Sequence, residues 1–396
     1  MKRELMAVFG KVNLTPDEPT PLQGYDPDTY IADPTTDLLD EIYARILLLD
    51  DGINRYGFIS IDCCLTNEQT IWACAGYGKP EQHREFIPTF PESTRGSWAQ
   101  AAGVDKSYMS VTPTHTHTAP AHFSEKYTKK VEEKIVELKE QFVPVRVKTA
   151  QGKSAVSAYR RPDLLPHLDI PIDQTLNVLL FESVQGKMLG CIVNFSAHLT
   201  VVNNPLNRIS ADFAGLAMNE LESRYGNGFV SLFLQGFEGD ICPIYGQYGD
   251  EGDTYPLAKM LGGIFTGDIA KVAAESRYFT AYPLKALEKV VKFPIKAHYS
   301  KLCPDLTLKA VRIGDAAILF VSAEVFNEFM NKIRQHFPSQ IILFSGLCNG
   351  YSGYLPTQEA FLDGQGGYEI LTTPFTKEAD PLFVKEAVEL IKGVLA

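Results

Sequence analysis

Residues 44–62 run Ala44-Arg45-Ile46-Leu47-Leu48-Leu49, then Asp50-Asp51-Gly52, then Tyr56-Gly57-Phe58-Ile59-Ser60-Ile61-Asp62. Two β-like apolar runs flank a turn signal, and this predicts a hairpin. A second such pair, Leu308 to Ile313 and Ala316 to Val321, is joined by Gly314-Asp315. Between them, Tyr127, Val131, Ile135, Leu138 and Phe142 recur at helical spacing with Lys and Glu opposite, which predicts a surface helix over 124–142. Near the C-terminus, Asp380 as N-cap and Pro381 at the first helical position open a helix with Phe383, Ala387, Leu390, Ile391 and Val394 on one stripe. Helical and strand patterns alternate without a repeat or a Pro/Ser-rich linker, so the expected fold is α/β: one large mixed-sheet domain over residues 1–396, closed by a C-terminal helix.

Composition narrows the function classes. With 45% hydrophobic and 21% charged residues, the 396-residue chain has ample material for a large core and is not a disordered or fibrous type. The formal net charge is −11 and no Lys/Arg run exceeds two residues, which excludes nucleic acid as an expected partner. No stretch has the length and apolarity of a membrane span, and the opening residues lack the apolar core of a secretory signal. The seven cysteines, Cys63, Cys64, Cys74, Cys191, Cys242, Cys303 and Cys348, show no paired spacing and read as inert core thiols, which fits a cytoplasmic location. The polar run Gly249 to Asp253 reads as a solvated loop.

Chemistry-bearing residues gather in a few short stretches. In Thr112-Pro113-Thr114-His115-Thr116-His117-Thr118-Ala119-Pro120, two histidines alternate. On a strand they would share a face and could meet one ion, or they are two polar residues on a half-exposed strand. His198 follows the apolar run Leu189 to Val193 in a polar loop, a common place for site residues in α/β proteins, or it is a satisfied core histidine. Ser210-Ala211-Asp212-Phe213 and Leu234-Gln235-Gly236-Phe237-Glu238-Gly239-Asp240 end apolar stretches in small and acidic residues. Glu324 follows the buried-strand pattern Ala317 to Ala323, an awkward place for a charge unless it ends the strand or binds a cation. Asn349-Gly350-Tyr351-Ser352-Gly353-Tyr354 through Thr357, then Gly366-Gly367-Tyr368-Glu369, supplies glycines and three phenols.

The ordered set of these stretches resembles the neutral, non-lysosomal ceramidases, from near residue 8 to about residue 370. That resemblance implies a zinc-dependent hydrolase cleaving an N-acyl amide, with sphingolipids or other N-acylated lipids or small molecules as substrate class. It implies His115, His198, Glu324 and Tyr354 as ligands of Zn2+, and His117, Arg160 and Tyr368 as the groups meeting the substrate carbonyl and its oxyanion. The residues alone would make both His115 and His117 ligands; the family uses only the first. Two departures stand out: Cys242 occupies a position where serine is usual, and the family's C-terminal immunoglobulin-like domain has no counterpart in these residues. Two other function classes are a fold-retaining metal-binding protein without turnover, and a cysteine hydrolase using Cys242.

Overall fold

A computed structural model describes residues 4–24, 29–74, 83–160, 172–202, 207–245, 252–297, 305–362 and 367–396. Both sequence-predicted hairpins are present: Tyr43–Asp50 pairs antiparallel with Arg55–Ile61, and Leu306–Ile313 with Ala316–Val321. The first belongs to a nine-stranded mixed sheet. Its order is Val230–Gln235, Met188–Phe195, Thr175–Ser183, Val143–Lys153, Leu5–Asn13, Tyr43–Asp50, Arg55–Ile61 and Met109–Pro113, with Arg277–Phe279 also paired to Val143–Lys153. The second hairpin belongs to a four-stranded sheet, Leu284–Val291, Leu306–Ile313, Ala316–Val321 and Ile341–Ser345.

The apolar runs are continuous because both faces of these strands are covered. From the first hairpin, Leu47, Leu49 and Phe58 pack toward Ile318, Phe320 and Leu343 of the smaller sheet. The alternate residues Ile46, Leu48 and Ile59 pack with Trp98, Val131 and Ile135 of the helices Thr94–Ala102 and Glu125–Leu138. Farther along the large sheet, Val178, Leu180 and Val193 meet Ala214 and Met218 of helix Asp212–Tyr225 and Leu261 and Phe265 of helix Tyr255–Ala274. On the outer face of the smaller sheet, Leu308, Leu319 and Val321 pack with Phe383, Ala387 and Ile391 of helix Ala379–Leu395. The result is four layers: helices, large sheet, small sheet, helices. Among the described residues no helix is long and apolar enough to cross a membrane.

Two helix boundaries differ from the sequence-based expectation. The helix expected to reach Phe142 stops at Leu138, and Phe142 packs beside the same core from outside it. The closing helix is capped at Glu378, so Asp380 sits in its first turn. There its carboxylate accepts from Lys332 Nζ and from the backbone N–H of Gln358, both at 2.7 Å: a tertiary tie rather than a cap. Of the loop read at Gly249 to Asp253, residues 249–251 lie outside the described residues.

The large sheet curls until its two parallel edges approach each other. Ser60 Oγ on Arg55–Ile61 donates to the Phe233 carbonyl, and Gln235 Nε2 at the end of the opposite edge donates to the Thr114 carbonyl at 3.1 Å. Asn194, on Met188–Phe195, donates from Nδ2 to Leu234 O at 3.0 Å and to Phe344 O at 2.7 Å, tying the large sheet to the small one. The carboxyl ends of Met109–Pro113, Met188–Phe195, Val230–Gln235, Ala316–Val321 and Ile341–Ser345 therefore open toward one region.

Candidate metal centre

Each strand end carries a polar turn into that region. His115 does not sit on a strand, as the His-x-His spacing suggested. The strand ends at Pro113, and buried His115 adopts φ 70°, a left-handed conformation rare outside glycine. This turn, rather than strand alternation, brings the two rings together, with His117 Nε2 3.3 Å from His115 Nε2. The turn lies beside the one carrying His198: Thr116 bridges Leu199, and His117 N–H donates to Leu199 O. Glu324 and Tyr354 face each other in a short parallel ladder, Glu324–Val325 against Tyr354–Leu355.

The donor atoms converge. One ligand atom each from His115, His198 and Glu324 lies within 4.8 Å of the others, and all three residues are buried. His115 Nδ1 donates to the Cys64 carbonyl and His198 Nδ1 to the Ile241 carbonyl, both at 2.8 Å. Those backbone acceptors fix both tautomers and leave each Nε2 turned inward. Glu324 Oε2 is 3.0 Å from His198 Nε2 and 3.6 Å from His115 Nε2, while Tyr351 OH donates to Oε1 at 2.9 Å.

Two imidazole nitrogens and a carboxylate around one point form the donor set of a transition-metal ion. Burial and the Arg160 charge push His198 down to about 3, so its ring is neutral. Burial would lower His115 and raise Glu324, but the partners win. Cys64 and Glu324 hold His115 well above the usual histidine range, and the two histidines hold Glu324 well below the usual carboxylate range. The proton that this pairing holds on His115 is what a divalent cation would displace. The residues fit such an ion.

Arg160 is delivered by the pairing of Ser157–Tyr159 with Ile241–Pro243, and its N–H donates to Asp240 O at 2.8 Å. Its Nη1 donates to His198 Nε2 at 2.7 Å and to Tyr354 OH at 3.3 Å, and Nε lies 3.3 Å from Glu369 Oε1. The guanidinium thus covers the lone pair a cation would need, and must swing off it when one binds. Tyr368 opens the helix Tyr368–Thr372, with its ring edge-on to that of Tyr354 at 6.0 Å between centroids. Burial, followed by the Glu324 charge, raises the Tyr354 phenol well above its usual value. Burial, followed by the charges of His115 and Arg160, holds His117 well below the histidine range. Of the seven residues named from the sequence, His115, His198 and Glu324 bring donor atoms together, while His117, Arg160 and Tyr354 lie against them and Tyr368 packs on Tyr354.

Other residues with a part in the site were quoted from the sequence without a role, Gln235 and Glu238 in the stretch Leu234 to Asp240 and Cys64 as a core thiol. Gln235 donates from Nε2 to Thr114 O and Ala197 O and accepts the Ala197 N–H at Oε1, stitching the His115 turn to the His198 turn. Cys64, read as an inert core thiol, lies with Sγ 3.7 Å from His115 Nδ1. Glu238 is fully buried with neither carboxylate oxygen hydrogen-bonded, and burial raises it well above the usual range.

No family model matches the chain. Neutral ceramidase A of Dictyostelium discoideum is 29% identical over 165 residues, a match covering 33% of this chain and 23% of that protein. The match thus spans less than a quarter of the curated relative's length. Two solved structures share the fold. A ceramidase complexed with C2 superposes with a TM-score of 0.79 at 16% identity, covering 98% of this chain and 75% of that one. The neutral ceramidase from Pseudomonas aeruginosa superposes with a TM-score of 0.77 at 17% identity, covering 100% and 76%.

Proposed function

From a chain that has the fold of the neutral ceramidases and is related to them in sequence, we propose a zinc-dependent hydrolase that cleaves N-acyl amides, ceramide-like lipids among them. The observation that carries this reading is the inward convergence of His115 Nε2, His198 Nε2 and Glu324 Oε2, with both Nδ1 atoms pinned to backbone carbonyls. In this reading His115, His198, Glu324 and Tyr354 hold the ion. When bound, zinc supplies Lewis acidity and lowers the pKa of a water to about 7.

The chain's own groups do the rest. Arg160, freed from His198, and the Tyr368 hydroxyl donate to the amide oxygen as it gains negative charge, so their hydrogen bonds strengthen toward the transition state. Neutral His117 takes up a proton as water adds to the carbonyl carbon and gives one to the departing amine nitrogen as the C–N bond breaks. Tyr351 holds Glu324 Oε1 in place while Oε2 faces the centre. Cys242 donates to the carbonyls of Ala158 and Tyr159, and a nucleophilic role for it draws no support from those surroundings.

The test is hydrolysis of a short-chain ceramide and of simpler N-acyl amides by protein as purified, after chelation, and after zinc is restored. Chelation should abolish turnover and zinc should return it; Arg160→Met should lower kcat by roughly 100-fold or more. Full turnover by metal-free protein would refute the proposal.

A further inference from the structure

Cys64 Sγ and one nitrogen each of His115 and His117 also lie within 4.8 Å of one another, and all three residues are buried. His115 therefore stands between two donor sets. On one side are His198 and Glu324, an imidazole and a carboxylate; on the other are His117 and Cys64, an imidazole and a thiol. We infer that the second set is a binding site for thiophilic ions such as Cd2+ or Cu+, in competition with the first for His115.

Three features of the geometry carry this. Cys64 is held where it is: its carbonyl accepts from His115 Nδ1 at 2.8 Å, and its Sγ is 3.7 Å from the same nitrogen, so thiol and ring move together. The His115 and His117 Nε2 atoms are 3.3 Å apart, close to the separation of two nitrogens bonded at about 2.0–2.1 Å in a tetrahedral site. The two sets also differ in softness: a carboxylate suits harder ions, whereas a thiolate selects softer ones. On binding, the Cys64 S–H bond is replaced by a sulfur–metal bond and the proton leaves to solvent. An ion seated there takes His115, the one residue common to both groups, away from the first set. The site shares His115 with the proposed zinc centre, but it does not depend on the chain having any hydrolytic activity.

The experiment titrates the metal-free full chain with Cd2+ and follows the ultraviolet thiolate-to-cadmium charge-transfer band and proton release, in wild type, Cys64→Ser and His198→Ala. Wild type should develop the band at one equivalent. Cys64→Ser should lose it, release one proton fewer, and bind Cd2+ at least about 100-fold more weakly, more than the loss of an outer-shell partner costs. His198→Ala should keep the band. Absence of the band in wild type, its persistence in Cys64→Ser, or its loss in His198→Ala would each overturn the inference. Circular dichroism and zinc binding of Cys64→Ser separate loss of the site from loss of the fold. Amide hydrolysis enters none of these readouts, so failure of the zinc-hydrolase reading and failure of this one remain distinguishable.

Discussion

At position 24 the backbone takes φ +107°, and a Cβ built there would lie 2.5 Å from His117 Cγ. Any side chain must displace the imidazole or strain the turn, and the strain alone costs on the order of 1 kcal/mol. Gly24→Ala should therefore leave the fold intact while lowering kcat on N-acyl amides by about 10- to 100-fold, through misplacement of a proton-transferring group. Circular dichroism with steady-state kinetics checks this; unchanged kcat would mean that His117 tolerates the shift or has no part in the reaction. At this scale the sequence carried much of the site, because histidines, a glutamate after a buried strand and glycine-flanked tyrosines are unusual where they stand. It did not carry Gly24 or the part played by Cys64, and it marked Gln235 without showing that its amide bridges two turns, because these contacts exist only once distant turns meet. Nor did spacing reveal that His115 leaves the strand: that depends on a positive φ which histidine adopts only under tertiary constraint.

Turns supply the histidines of the site, and a few side chains hold those turns in register. Gln235 uses both ends of its amide on Thr114 and Ala197, each adjacent to a proposed ligand. Gln235→Leu keeps the volume and removes all three hydrogen bonds. It should weaken zinc affinity by about 10- to 100-fold, the range seen when outer-shell partners are lost. Competition against a chromophoric chelator measures this, and wild-type affinity in the variant would show that packing alone positions the turns. The hairpins and amphipathic helices were readable because their contacts are local in sequence. The true role of Asp380 was not: its partners Lys332 and Gln358 are distant along the chain, and a polar residue at a helix start looks the same as a cap until those partners are known.

Taken whole, the molecule buries carboxylates that its fold does not neutralise. Burial raises Asp212 from 3.8 to about 7 and Asp40 to about 6. Below pH 3.8 both folded and unfolded chains hold the Asp212 proton. Between 3.8 and about 7 only the folded chain does, so stability falls as pH rises through that window and the loss is complete above it. One such proton accounts for at most about 1.4 kcal/mol per pH unit. Carboxylates held low by partners, such as Asp173 beside Arg334, act in the opposite sense, so the variant difference is the quantity to measure. Asp212→Asn should lose less stability than wild type between pH 4.5 and 6.5 in urea unfolding; parallel slopes would rule out Asp212 as a source. The α/β class and mixed sheet were legible from alternating patterns, whereas the curl that brings the sheet's edges together was not, since no local period encodes it.

That curl has a consequence for how this architecture can be trimmed. Because His115 and His198 enter after strands of the large sheet and Glu324 and Tyr354 after strands of the small one, neither half of the chain holds more than two of the four proposed donors. A fragment carrying only one sheet would keep two members of the proposed donor set and lose the chelate that the other two complete.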